Sequence, residues 1–224
     1  MIKAENLAFR YDSYGEKESE KVLRNINLTV HKGEKVLILG EPESGKTTLS
    51  LILSSLIPEF VEGELEGKVY PECEMKDRMG DYTLVPQNAG EFILGETVEE
   101  EIAFPLESLG IERKEIIERV DKALSFWGLD ALREASTTEL SGGEKRRLML
   151  ASSLVTNPDY VIYDESFDDL DKGWRQVLRD HIKESSEASL VMASRFLSFF
   201  NDLFDRIYVL EHGELREWNG ELSS

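Results

Sequence analysis

Apolar and polar residues alternate along "IKAENLAFRY" and "VLRNINLTV" with the period of half-buried strands, and the polar "DSYGEKESEK" between them reads as an exposed loop. The first block is therefore antiparallel β. "EKVLILG" differs: an apolar run closing on glycine predicts a fully buried strand, and "GKTTLSLILSSLI" behind it has helical spacing. From Glu112 to Trp127, the residues Ile116, Ile117, Val120, Ala123, Leu124 and Trp127 recur at the spacing of one helical face. Ahead of them, "ETVEEEIAFPLESLG" predicts a helix broken near Pro105 and Gly110. These two form a helical block bounded by Gln87 and Ser141. Strand and helix then alternate: "YVIYDE" and "SLVMAS" and "RIYVLEHG" as strands, "GWRQVLRDHIKESS" and "LSFFNDLF" as helices. Such alternation implies a parallel sheet covered on both faces.

Composition narrows the class. With 41% hydrophobic residues over 224 positions, the chain can bury the core of one large domain. Its 45 acidic and 26 basic residues give a net charge of -19, which argues against nucleic acid as a partner and against a polybasic membrane anchor. The single cysteine, Cys73, forms no internal disulfide or metal cluster and reads as a loop residue of a reducing interior. No apolar run approaches the roughly 18 residues of a membrane span, so a role at a membrane would be peripheral, from the cytoplasmic face and through a partner.

The chemistry begins at Gly40. "GEPESGKT", comprising Gly40, Glu41, Pro42, Glu43, Ser44, Gly45, Lys46 and Thr47, matches the phosphate-binding loop G-x-x-x-x-G-K-[ST] and lies between a buried strand and a helix, as that loop requires. Backbone N–H groups and the helix dipole would cradle phosphates, Lys46 would reach the β and γ phosphates, and Thr47 would ligate Mg²⁺. "YVIYDE" ends in Asp164 and Glu165, the first suited to hold Mg²⁺ and the second to orient or deprotonate a water. "LSGGEKRR" opens a helix with Ser141, Gly142 and Gly143, a second anion-binding helix start, and it suggests a nucleotide held by another copy of the fold.

These motifs resemble the ATP-binding cassette ATPases over nearly the whole chain. "GEPESGKTT", through Thr48, looks like their Walker A loop, "LSGGE" their signature, and "YVIYDE" their Walker B strand. Gln87 looks like the Q-loop glutamine that touches the metal and senses the γ phosphate, "DDLD" with Asp171 the D-loop, and Tyr11 the adenine-stacking aromatic. The resemblance implies an α/β fold: a P-loop core with an N-terminal antiparallel subdomain and a helical insertion. Residues 1–224 would form one domain, divided into 1–87 (β subdomain and Walker A core), 88–140 (Q-loop and helical subdomain) and 141–224 (signature helix, Walker B, D-loop and switch region). It also implies ATP and Mg²⁺ as cofactors, and head-to-tail dimers with ATP between one subunit's Walker motifs and the other's signature. "PQNAGEFILGETVEEEIAFPLESLGI" and "SSLIPEFVEGELEGKVY" are similar to the energy-coupling factor and cobalt-type subunits that drive vitamin and metal-ion uptake, with departures at Ala89 and Phe92. A membrane subunit would then dock near Gln87 to Pro105, with Phe92, Ile93 and Leu94 either lining its groove or packing in the core. Asp168 and Asp169 stand where small residues are usual and read as solvated charge. Ser166 stands in place of proline, with little effect expected.

One departure touches catalysis. "LVMASRF" places Arg195 after a buried strand, where an unpaired charge needs an anion. The family's switch histidine falls there, and His31, His181 and His212 lie elsewhere and read as surface residues. A guanidinium donates hydrogen bonds but accepts none, so Arg195 could grip the γ phosphate or pair with Glu165 without copying the histidine; a plain surface arginine is the alternative. With Glu165 and Gln87 it completes the expected catalytic set. The expected activity is ATP hydrolysis coupled to transport, with the chain's own Walker site impaired and a non-identical second ATPase favoured over a homodimer. A nucleotide-dependent dimerisation subunit, or a soluble mechanical ATPase of the same family, is the competing reading.

Overall fold

The computed structural model describes residues 1–12, 20–57, 61–70, 80–195, 200 and 202–218. The alternating opening segments form β1 (Ile2–Tyr11) and β2 (Leu23–Val30), paired antiparallel, and β4 (Gly63–Tyr70) adds to the other side of β1. The second sheet has the order β5-β6-β7-β3-β8-β9. It comprises β3 (Lys35–Leu39), β5 (Tyr82–Val85), β6 (Tyr160–Asp164), β7 (Ala188–Ala193), β8 (Arg206–Glu211) and β9 (Glu214–Glu217). Its pairs are parallel except β8 with β9.

Apolar runs without alternation arise because this sheet is buried on both faces. Val36, Ile38, Ile162, Leu190 and Met192 pack with the β1–β2 sheet and with helix α1 (Lys46–Leu53). Their neighbours Leu37, Val161, Tyr163 and Val191 face the other core, built on helices α2 (Val98–Ser108), α3 (Arg113–Phe126), α4 (Gly142–Leu154) and α5 (Lys172–Glu184). The α/β class expected from the sequence is the one observed.

Four local expectations are corrected. Pro105 does not break its helix: α2 runs through it to Ser108. Proline lacks the N–H that would bond the Glu101 carbonyl, and Ser152 Oγ of α4 donates to that oxygen at 3.0 Å. Ile117 lies off the buried face of α3 and is 48% exposed, whereas Ile116, Val120, Leu124 and Trp127 are buried. His181 is no simple surface residue; its ring packs against Phe126 and Trp127, and Nε2 lies 3.5 Å from Glu187 Oε1. Asp169 is exposed but paired, to the buried Arg146. Cys73, most of the loop "DSYGEKESEK" and half of the helix expected over "LSFFNDLF" lie outside the described residues.

Candidate functional site

The C-terminal ends of three adjacent strands, β6, β7 and β3, meet at one point, as parallel sheets bring them together. After β3 the chain turns through Gly40 to Gly45 into α1. Gly45 takes φ 102°, and a Cβ there would lie 2.9 Å from Leu23 Cδ2, so glycine is required. Lys46 follows and is 5% exposed. Its Nζ donates to the carbonyls of Gly40 at 2.8 Å and Glu41 at 2.9 Å, and lies 3.2 Å from Glu165 Oε1.

Glu165 follows β6, is 9% exposed and adopts φ 51°, a conformation that costs a non-glycine residue on the order of 1 kcal/mol or more. Its backbone N–H bonds Met192 O, and its Oε2 accepts from Ser194 N at 3.2 Å. The residue beside the glutamate at the end of β7 is therefore Ser194. Arg195 is exposed and is not among the described residues lining the cavity.

A cavity of about 470 Å³ opens over this junction, lined by Val22, Pro42, Glu43, Gly45, Lys46, Thr47, Thr48, Gln87, Glu165, Asp168 and Ser194. It brings together most of the phosphate loop with Gln87 and Glu165. Its charge is unusual for a phosphate site: among the described lining residues stand three carboxylates and one ammonium. Glu43 is one of the three, exposed and at φ 66°, a left-handed conformation costing a side-chain-bearing residue about 1–2 kcal/mol. Sequence reasoning passed over this residue because the loop motif accepts any side chain there.

Two buried polar atoms point to what the site takes. Among the described residues Ser44 Oγ, in the phosphate loop, has no hydrogen-bond partner, and neither has Asp164 Oδ1. Asp164 is 2% exposed and hydrogen-bonded by Thr47. Burial, reinforced by the charge of Glu165, lifts its pKa to about 6, against the lowering effect of Thr47, Lys46 and Arg146. A buried oxygen without a partner beside a threonine hydroxyl fits a hard cation that takes oxygen ligands.

The remaining predicted residues sit around this centre or apart from it. Tyr11 lies edge-on to Phe9 at 4.9 Å between centroids, and its hydroxyl lies 2.9 Å from Thr48 Oγ1. Ser141 caps α4 reciprocally with Glu144 and is exposed with Gly142, and neither these two nor Gly143 lines the cavity. Asp171 caps α5, accepting from Trp174 N at 3.0 Å. Ser166 is fully buried, its hydroxyl tying the turn after β6 to Val85 O at 3.4 Å. Arg146 was missed because arginines in an exposed-looking "EKRR" run give no sign of burial, yet it is 1% exposed.

A family profile described as ABC transporter matches residues 23–168. A Pyrococcus abyssi protein bearing the name of an ABC transporter ATP-binding protein is 35% identical over 227 residues, covering 96% of this chain and 79% of its own. The energy-coupling factor transporter ATP-binding protein EcfA1 of Lactococcus lactis is 34% identical over 227 residues, covering 96% and 78%. Among solved structures, the dimeric structure of a bacterial ABC transporter cassette superposes with a TM-score of 0.81 at 26% identity, covering 97% of this chain and 98% of that one.

Two measurements probe this electrostatic balance. Removing the Glu43 charge near the phosphates is worth about 1 kcal/mol, so Glu43→Gln is expected to tighten MgATP binding about fivefold by calorimetry. Glu43→Gly is expected to add about 1 kcal/mol of folding stability through relief of the left-handed backbone. Unchanged affinity in both variants contradicts the charge argument. For Asp164, a folded pKa of about 6 against an ordinary 3.8 means that the native state holds its proton longer, so the buried charge costs stability above pH 6. Asp164→Asn is expected to stabilise the nucleotide-free chain by up to about 3 kcal/mol above that pH, the gain fading as pH falls to about 4. Urea unfolding across pH reads this directly.

Proposed function

The chain belongs to the ABC transporter ATPase family, and from that premise we propose that it is one half of a non-identical ATPase pair energising uptake of a vitamin or metal-ion type substrate through a separate membrane subunit. The observation that carries the reading is the convergence of Lys46, Thr47, Gln87 and Glu165 on one cavity at the ends of β3 and β6. The similarity to an energy-coupling factor ATP-binding protein supports the uptake assignment. Phe92, Leu94 and Phe104 are each about half exposed or more, which supports docking of the membrane subunit between Gln87 and Pro105. No helix among the described residues is long and apolar enough to cross a membrane, in keeping with a peripheral place on the cytoplasmic face.

In this reading residues 1–224 act as a single ABC ATPase domain. The loop from Gly40 to Thr48 wraps the phosphates of ATP with its N–H groups, and Ser44 Oγ donates into them. Lys46 exchanges its carbonyl and Glu165 partners for phosphate oxygens. Thr47, Asp164 and Gln87 would hold Mg²⁺, which when bound would neutralise charge on the phosphates. Glu165, released from Lys46, accepts a proton from the attacking water. Tyr11 stacks on adenine.

Ser141, Gly142 and Gly143 face outward and complete the partner subunit's site, with Asp171 holding the D-loop at the junction. Arg195, exposed at the rim, reaches the γ phosphate only on closure, and as a pure donor it leaves the chain's own site slow. A subunit that closes on ATP with little turnover of its own is the second reading, favoured by this same arginine.

Phosphate release from the assembled complex is the test. Glu165→Gln is expected to lower turnover roughly 100-fold or more while ATP still binds. Arg195→His is expected to raise turnover; a variant with unchanged rate and ATP affinity contradicts the role given to Arg195.

A further inference from the structure

The guanidinium of Arg146 is the largest fully buried side chain described, and it joins three segments that are distant in sequence. Its Nη1 donates to Pro86 O at 2.6 Å, and its Nη2 donates to the Gln87 carbonyl and, at 2.8 Å, to Asp169 Oδ2. A buried charge is costly unless it is paired, and the two terminal nitrogens of the planar fork meet these three acceptors in one fixed mutual arrangement, while Nε has no partner among the described residues. Two of the three arms hold backbone at the Gln87 turn. The third holds the loop that follows Glu165.

Both held segments contribute walls to the nucleotide cavity, one through Gln87 and the other through Asp168. Arg146 stands on α4, about a turn and a half from Ser141, so the helix whose start faces the partner subunit carries the joint. The Asp169 side chain is 60% exposed, which makes its arm the one that can be released without opening the core. We infer that Arg146 is a positioning residue coupling the Gln87 turn to the Asp168–Asp169 loop, so that nucleotide at one wall orders the other. The inference rests on the proposed reading of the cavity as an ATP site. Coupling of this kind is reciprocal: whatever moves Gln87 from outside, a membrane subunit included, would shift the loop by the same free energy.

Hydrogen exchange of the full chain with and without MgATP tests it. The Asp168 and Leu170 amides bond Glu165 O and Phe167 O in the loop and report its order. In the unaltered chain, nucleotide is expected to slow exchange both in Lys46–Leu53 and at these two amides. In Asp169→Asn the gain at the loop is expected to fall at least fivefold, the lower end of typical site-to-site coupling, with the gain in Lys46–Leu53 retained. Asp169→Glu, which keeps the charge, is expected to restore part of it. Full loop protection in Asp169→Asn overturns the inference alone. Absence of any protection of Lys46–Leu53 in the unaltered chain overturns the ATP reading, and the coupling with it.

Discussion

The site is organised around one buried ammonium. Lys46 has almost no access to water, and its charge is met by two carbonyls of its own loop and by Glu165 across the strand ends. Leaving it unpaired would cost several kcal/mol, so the loop, β6 and α1 are drawn into the one arrangement that satisfies it. The carboxylate doing so is also the candidate general base. A nucleotide therefore has to compete with Glu165 for Lys46, and in winning it would free the group that hydrolysis needs.

That arrangement is possible because the sheet is parallel and covered on both faces. The order β6-β7-β3 sets the ends of three strands side by side, which aligns Glu165, Ser194 and the phosphate loop without long excursions of chain. Acid density is the opposing constraint. Glu43, Glu165 and Asp168 line the cavity, and the backbone amides and Lys46 have to outweigh them wherever a phosphate binds.

The strands buried on both faces and the phosphate loop were legible in the sequence because each is dictated locally: the loop by its glycines and lysine, the strands by apolar runs no other element would need. β4 was not, since "GELEGKVY" carries little apolar signal and is held through its ladder to β1. The helix through Pro105 was misread for a similar reason. The serine that takes the orphaned carbonyl lies 51 positions away in the chain. Burial of Arg146 reversed the expectation from its surroundings, because tertiary partners, not neighbours in sequence, decide where that charge lies.

The most direct measurement is a crystal structure of the chain with Mg²⁺ and a non-hydrolysable ATP analogue. The account predicts Lys46 Nζ on the β and γ phosphates, its contact with Glu165 broken, and the glutamate turned toward the γ phosphate. A bound nucleotide with the Lys46–Glu165 pair still at 3.2 Å would contradict it.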